Sequence, residues 1–194
     1  MPNFTAFLSY VLVTTFTPGP NNIMSMSNAS RYGFKKSIWF NVGIFFGFFI
    51  IIALCSLFSV TLYSLIPSIK PFMTIIGAAY ILWLAWKTYQ SKPHSDGESE
   101  KQTNTFLAGL LLQFVNPKVI LYGITTVSTF IVPYYSSVFI LGGFSILLAF
   151  IGFVSTCCWA LFGSIFQIFL SKNHQVINII MALLLVYCAV SLFL

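Results

Sequence analysis

Thr17-Pro18-Gly19-Pro20-Asn21-Asn22 interrupts an apolar run that otherwise extends over residues 4–29. Proline has no N–H, and its ring clashes with the carbonyl one turn back, so an α-helix cannot pass through this stretch unbroken. Pro18 deprives the Thr14 carbonyl of its partner and Pro20 that of Phe16. Thr17 and Gly19, each preceding a proline, are pushed away from helical angles. In a bilayer such groups need protein, water or substrate as partners, because hydrocarbon offers none. The stretch therefore reads as a helix broken at a binding site, provided that the chain is a membrane protein.

Composition meets that condition. Of 194 residues, 58% are hydrophobic and only 6% charged, whereas a soluble domain carries about 25% charged residues. The mean hydropathy is +0.94. So few charges could not supply a soluble surface over 22 phenylalanines. The net charge of +6 comes from basic residues scattered among loops, which argues against nucleic acid as a partner and makes the charges topology signals. Met1-Pro2-Asn3 has no basic n-region, so no cleaved signal peptide is expected. Cys55, Cys157, Cys158 and Cys188 fall in apolar runs without metal-ligand spacing and read as small packing residues.

A bilayer crossing takes about 20 apolar residues. Six candidate runs follow one another at 4–29, 37–65, 71–89, 105–132, 138–170 and 176–194, with Pro67 and Pro71 between the second and third. Gly142, Gly143, Gly152 and Gly163 mark bends or close packing in the long fifth run, which tilt can also accommodate. Arg31, Lys35, Lys36, Lys87, Lys92, Lys101 and Lys172 fall on one side of this arrangement and only Lys70 on the other. By the positive-inside rule, both termini are expected outside the cytoplasm.

The one long polar stretch, 91–104, holds every acid of the chain (Asp96, Glu98 and Glu100) and separates nearly equal halves at 1–90 and 105–194. With three runs each, the halves enter from opposite sides. Each half interrupts its first run, at Pro18-Gly19-Pro20 and at Asn116-Pro117-Lys118. Interruptions at corresponding positions of inverted halves point to a transporter's binding site. The expected fold is an all-α integral membrane protein with six transmembrane helices, arranged as two inverted three-helix repeats with broken first helices.

The candidate substrate-binding residues are Thr17, Pro18, Gly19, Pro20, Asn21, Asn22, Asn41, Asn116, Pro117, Lys118 and Tyr122. Pro20 suits the first position of a second half-helix. Amides around Asn21, Asn22 and Ile23 would then point into the gap with the positive end of the helix dipole. The freed carbonyls of Thr14 and Phe16 offer the opposite polarity, so one break could hold a zwitterionic amino acid. The alternative is a structural kink whose carbonyls bond Thr14, Thr15 or Thr17.

Lys118 lies near the middle of its run, where a charge is a functional-site hypothesis by default. It could hold a substrate carboxylate or carry a proton; the alternative is snorkelling from a shallow segment. Tyr122 is one turn on, and Gln113 and Asn116 flank the break. Asn41 with Gly43 and Gly47 forms a small-residue face that suits helix packing better than ligand binding, and through which two copies could pair as a homodimer. Trp39, Trp83, Trp86 and Tyr89 read as interfacial anchors. Tyr80 and Tyr187 are mid-run hydroxyls in need of partners. His94 and His174 lie in the polar loop and at a helix boundary. No acid lies within any run, and no metal cluster or nucleophile–base pair is evident, so neither a metal, a cofactor nor a catalytic residue is expected.

TPGPNN at 17–22 resembles the signature of the LysE/RhtB family of bacterial amino-acid exporters. So do GAAYILWLAWK at 77–87, LQFVNPKVILYG at 112–123 with STF at 128–130, and ALLLVYCAV at 182–190. Within the family the pattern is most similar to the cysteine/O-acetylserine exporters. The resemblance implies a six-span inner-membrane protein that exports small amino acids by proton exchange. Pro18-Gly19-Pro20 and Asn116-Pro117-Lys118 match the family's motifs. The intramembrane aspartates of lysine exporters are missing, which favours a neutral substrate and leaves the proton carrier unnamed. The alternatives are export of homoserine, threonine or lysine, or a membrane scaffold or intramembrane enzyme that transports nothing.

Overall fold

The computed structural model describes residues 4–90, 104–165 and 174–190, with the backbone alone at 59–70, 73–74, 174 and 177. Lys92, His94, Asp96, Glu98, Glu100, Lys101 and Lys172, and with them nearly all of the linker at 91–104, lie outside the described residues. Every regular element among those described is helical.

Helix α1 (Phe4–Phe16) stops where the prolines begin, and α2 (Pro20–Tyr32) starts with Pro20 in its first turn. At 13 residues, α1 is about 20 Å long and cannot cross a bilayer of about 30 Å alone. Gly33, at φ 78°, ends α2 in a conformation that favours glycine, and its N–H bonds the Ala29 carbonyl at 2.9 Å. Then come α3 (Phe34–Leu57) and α4 (Ser59–Tyr89), separated by Phe58. The boundary expected at Pro67–Pro71 is therefore displaced: α3 ends ten residues earlier than Pro67, and α4 continues through both prolines. Within a bundle, neighbouring groups can make good the one backbone bond that each proline removes.

The second half opens with α5 (Phe106–Val115), capped by Thr105, whose hydroxyl accepts from Ala108 N at 3.1 Å. Asn116 separates it from α6 (Pro117–Thr126), which continues into a π-helical turn at Val127–Ile131; α5 and the segment Pro117–Ile131 are bent by 66° to one another. Helix α7 (Val138–Ile165) runs through its glycines without interruption, and α8 (His174–Val190) closes the described chain. Helices α3 and α7 are each long and apolar enough to cross a membrane, and the bent α5–α6 pair makes a third such unit among the described residues.

Among the described residues the outer surface carries many large apolar side chains, and the interior holds polar residues beside its hydrophobic clusters. Phe139, Ile165 and Phe150 are exposed, as are Trp39, Trp83, Trp86 and Tyr89, whereas Asn22, Ser25, Asn28, Asn41, Gln113, Asn116 and Ser155 are buried. Helix α2 is the least hydrophobic element and is buried at nearly every position from Asn22 to Ala29. Its polar groups are sheltered by protein, with α7 along one side and α3 along another.

Helix α3 packs on α5, α6 and α7, α7 on α1 and α2, and α4 on α8. Glycines allow the backbones to touch at the end that carries Arg31, Lys35 and Lys36. A Cβ at Gly43 would collide with the Phe106 carbonyl, at Gly109 with the Phe40 carbonyl, and at Gly163 with the Met26 carbonyl. The Gly43/Gly47 face is thus filled by α5 of the same chain. It is not available as a dimer surface in this conformation. At the opposite end the contacts are between rings: Tyr10 stacks on Tyr122 at 6.0 Å, and Phe7 meets Phe130 and Phe144 at 5.8 and 6.1 Å.

Candidate functional site

The two helix breaks meet. Asn21, in the first turn of α2, donates to Gln113 Oε1 at 2.8 Å; its own Oδ1 accepts from Gln113 Nε2 at 3.1 Å and from Asn116 Nδ2 at 3.0 Å. Three amides from opposite halves thus satisfy one another in the buried centre. Such a network is stable only when every member is paired. Asn116 Oδ1 in turn accepts from Lys118 N at 3.1 Å and caps α6.

Lys118 reaches the other way. Its Nζ donates to Thr17 Oγ1 at 3.0 Å, to the Thr17 carbonyl at 3.1 Å and to the Pro18 carbonyl at 3.3 Å. An ammonium has three N–H groups, and three oxygens of the first break receive them. The charge also sits at the C-terminal end of α1, where the helix dipole favours a cation. Gly19 lies beneath this side chain. Its backbone is extended (φ −170°), which any residue can adopt, but a Cβ there would lie 3.0 Å from both Lys118 Cδ and Nζ. A larger residue there would have to push the lysine stem aside by a few tenths of an ångström.

The carbonyls released by the prolines are all engaged. Thr14 O accepts from Thr17 Oγ1 at 2.9 Å, and Phe16 O from Trp159 Nε1 at 3.2 Å. Thr15 O accepts from Asn22 Nδ2 at 2.9 Å and Ser155 Oγ at 3.0 Å, and Asn22 Nδ2 also reaches Thr17 O at 2.9 Å. The Thr14 and Phe16 carbonyls, expected as acceptors for a substrate ammonium, are satisfied here by side chains of the protein.

Between the breaks lies a cleft that takes in about 400 Å³ of empty space with its open mouth included. Gly19, Pro20, Asn21, Asn22, Asn116, Lys118 and Tyr122 line it, together with Thr14, Thr15, Phe48, Val119, Gly152 and Thr156. Asn21 and Asn22 belong to the first turn of α2, whose N–H groups lack intrahelical acceptors and carry the positive end of the dipole. The Tyr122 hydroxyl, buried near Thr15 and Thr126, makes no hydrogen bond of good geometry. No carboxylate lines the cleft.

Residues 12–194 match the LysE type translocator family. The chain belongs to that family. It is 44% identical over 188 residues to the cysteine/O-acetylserine efflux proteins of Escherichia coli (strain K12), Escherichia coli O1:K1 / APEC and Shigella sonnei (strain Ss046), with 97% of this chain and 96% of each relative covered. No solved structure matches.

Not every residue expected in the site of this LysE type translocator lines the cleft. Thr17 and Pro18 lie behind it as acceptors for Lys118. Pro117 packs on α4, where a Cβ at Gly77 would collide with its ring. Asn41 is fully buried elsewhere on α3, with Nδ2 at 3.8 Å from Cys157 Sγ and Oδ1 without a partner. The residues not anticipated from sequence come mainly from α7: Gly152 and Thr156 on the cleft, and Ser155 and Trp159 bonded to the first break. Ser155 and Trp159 are four apart, hence on one helical face. That spacing, inside an otherwise apolar run, was the available signal.

Proposed function

We propose that this translocator exports small neutral amino acids and related metabolites, cysteine and O-acetylserine first, from the cytoplasm across the bacterial inner membrane in exchange for protons. The observation that carries the reading is the single cleft at which both helix breaks converge. It is lined by Asn21 and Asn22 at the N-terminus of α2, by Tyr122 and by Lys118, with no acid among the lining residues. A substrate carboxylate suits the α2 terminus, and the lack of an intramembrane acid suits a ligand without net positive charge. The identity to cysteine/O-acetylserine efflux proteins along nearly the whole chain supports the choice of substrate.

We further propose six crossings in two inverted halves, with α1–α2, α3 and α4 corresponding to α5–α6, α7 and α8. The packing supports this, because α3–α7 and α4–α8 map onto themselves when the halves are exchanged, and the contact of α2 with α8 maps onto that of α6 with α4. Arg31, Lys35, Lys36 and Lys87 at one end support a cytoplasmic assignment for that end and an external one for the termini. In the conformation described, glycine-mediated backbone contacts hold the cytoplasmic end together, and contacts among Phe7, Phe130 and Phe144 lie toward the other. Alternating access then consists of parting α3 from α5 and α2 from α7.

Purified protein in liposomes loaded with a panel of amino acids tests this. Cysteine and O-acetylserine should move faster than lysine, and an opposing pH gradient should change the rate. If no amino acid moves with or without the gradient, the reading fails in favour of a non-transporting membrane protein.

A further inference from the structure

A second crevice lies away from the cleft, between α4 and the block formed by α2, α3 and α5. It encloses about 470 Å³ including its mouth, and Met24, Phe40, Ala108 and Leu112 form one wall, with Tyr80, Trp83, Leu84 and Lys87 forming the other. Its chemistry is graded along α4. Lys87 is in the last turn of that helix, beside the exposed rings of Trp83, Trp86 and Tyr89, a composition typical of the membrane–water interface. Tyr80 is two turns deeper, about 10 Å by helical rise, and the walls there are apolar.

The charge at the mouth is held in place. Lys87 Nζ sits 4.1 Å from the centre of the Trp83 ring, a cation–π contact that fixes the ammonium without neutralising it. Arg31 is close by, bonding the carbonyl of Thr88 at 3.4 Å and Asn178 Oδ1 at 3.0 Å. A zwitterionic amino acid is a poor match, since the lining offers one cation, one phenol and otherwise apolar surface. An anion with a long apolar tail matches both ends.

We infer that this crevice is a site for an anionic phospholipid, with its phosphate on Lys87 and one acyl chain lying along Trp83, Tyr80 and Phe40. A zwitterionic lipid lacks the advantage, because its headgroup has no net charge to set against the Lys87 ammonium. Basic pockets between transmembrane helices on the cytoplasmic side bind acidic headgroups for this physical reason.

Native mass spectrometry of the purified protein, exchanged into micelles containing phosphatidylglycerol or phosphatidylcholine, tests the site. The wild type should retain phosphatidylglycerol in preference. Lys87→Gln should lower that retention roughly fivefold, as expected for one lysine at an anionic headgroup, and leave phosphatidylcholine unchanged. Ala108→Phe, which fills the crevice without altering charge, should lower it as well. An excess of glycerol phosphate should not displace the lipid, since it has no acyl chain.

Phosphatidylglycerol carrying brominated chains gives a second measurement that does not depend on how Lys87→Gln folds. It should quench tryptophan fluorescence more than the brominated phosphatidylcholine, and Trp83→Phe should abolish the excess. Equal retention of the two lipids by the wild type, displacement by glycerol phosphate, or an unchanged quenching excess in Trp83→Phe would each overturn the proposal.

Discussion

Lys118 and Thr17 are joined across the two halves of the chain: Lys118 Nζ lies 3.0 Å from Thr17 Oγ1 and 3.1 Å from the Thr17 carbonyl. A cation that rises from one helix break closes the hydrogen-bonding deficit of the other. Its donors are spent on the protein in this conformation. If Lys118 takes up the substrate carboxylate, that carboxylate has to compete with Thr17 and Pro18, and binding would release the first break.

Replacing Lys118 by methionine, which keeps most of the stem, should leave the Pro18 carbonyl without its donor. The contact is exposed, and a lost hydrogen bond of this kind costs about 0.5–1.5 kcal/mol at most, so thermal unfolding in detergent should shift downward only slightly. Export from loaded proteoliposomes should fall by more than the loss of folded protein explains. Export at the wild-type rate per folded molecule would remove Lys118 from the mechanism.

Gly19→Ala tests the same contact from the other side. The extended backbone accepts alanine, so the effect must come from the new methyl group pushing Lys118 Cδ and Nζ away. Export should drop sharply in the wild-type background and change little in a Lys118→Ala background. Contacting residues show this kind of non-additivity; simple additivity would mean that Gly19 acts through something else.

Glycines of α3, α5 and α7 should differ by position. Gly43→Ala drives a methyl group into the Phe106 carbonyl, and forced overpacking of this sort costs about 1–3 kcal/mol. Gly142→Ala meets nothing within 4 Å and should stabilise α7 by about 0.5–1 kcal/mol, the ordinary gain over glycine within a helix. The two unfolding midpoints, measured in one detergent, should therefore move in opposite directions.

For Tyr122 the expected effects on stability and transport separate. Its hydroxyl makes no good hydrogen bond although the residue is buried, so Tyr122→Phe should not lower the unfolding temperature. If the hydroxyl meets the substrate, the apparent KM for export should rise several-fold with little change in maximal rate. An unchanged KM would show that the ring serves only to stack on Tyr10 and pack on Phe48.

Membrane character, the helical class and the two breaks were legible from composition and proline placement, because both rest on local physics. A helix cannot pass Pro18-Gly19-Pro20, and so few charges cannot clothe a soluble domain. Helix boundaries next to isolated prolines were less legible. Pro67 and Pro71 lie inside α4, since a single missing N–H can be compensated by surroundings that a linear pattern does not contain.

What meets what came from the packing alone. Asn21 pairs with Gln113 and Asn116, and Lys118 with Thr17, over separations of more than ninety residues; no local propensity encodes such distances. For the same reason Ser155 and Trp159 passed as parts of an apolar helix until α7 was laid against the first break. The chain's own prolines and lysine announced that two helices break. Only the docking of the halves made the carbonyls of one break the partners of the other's cation.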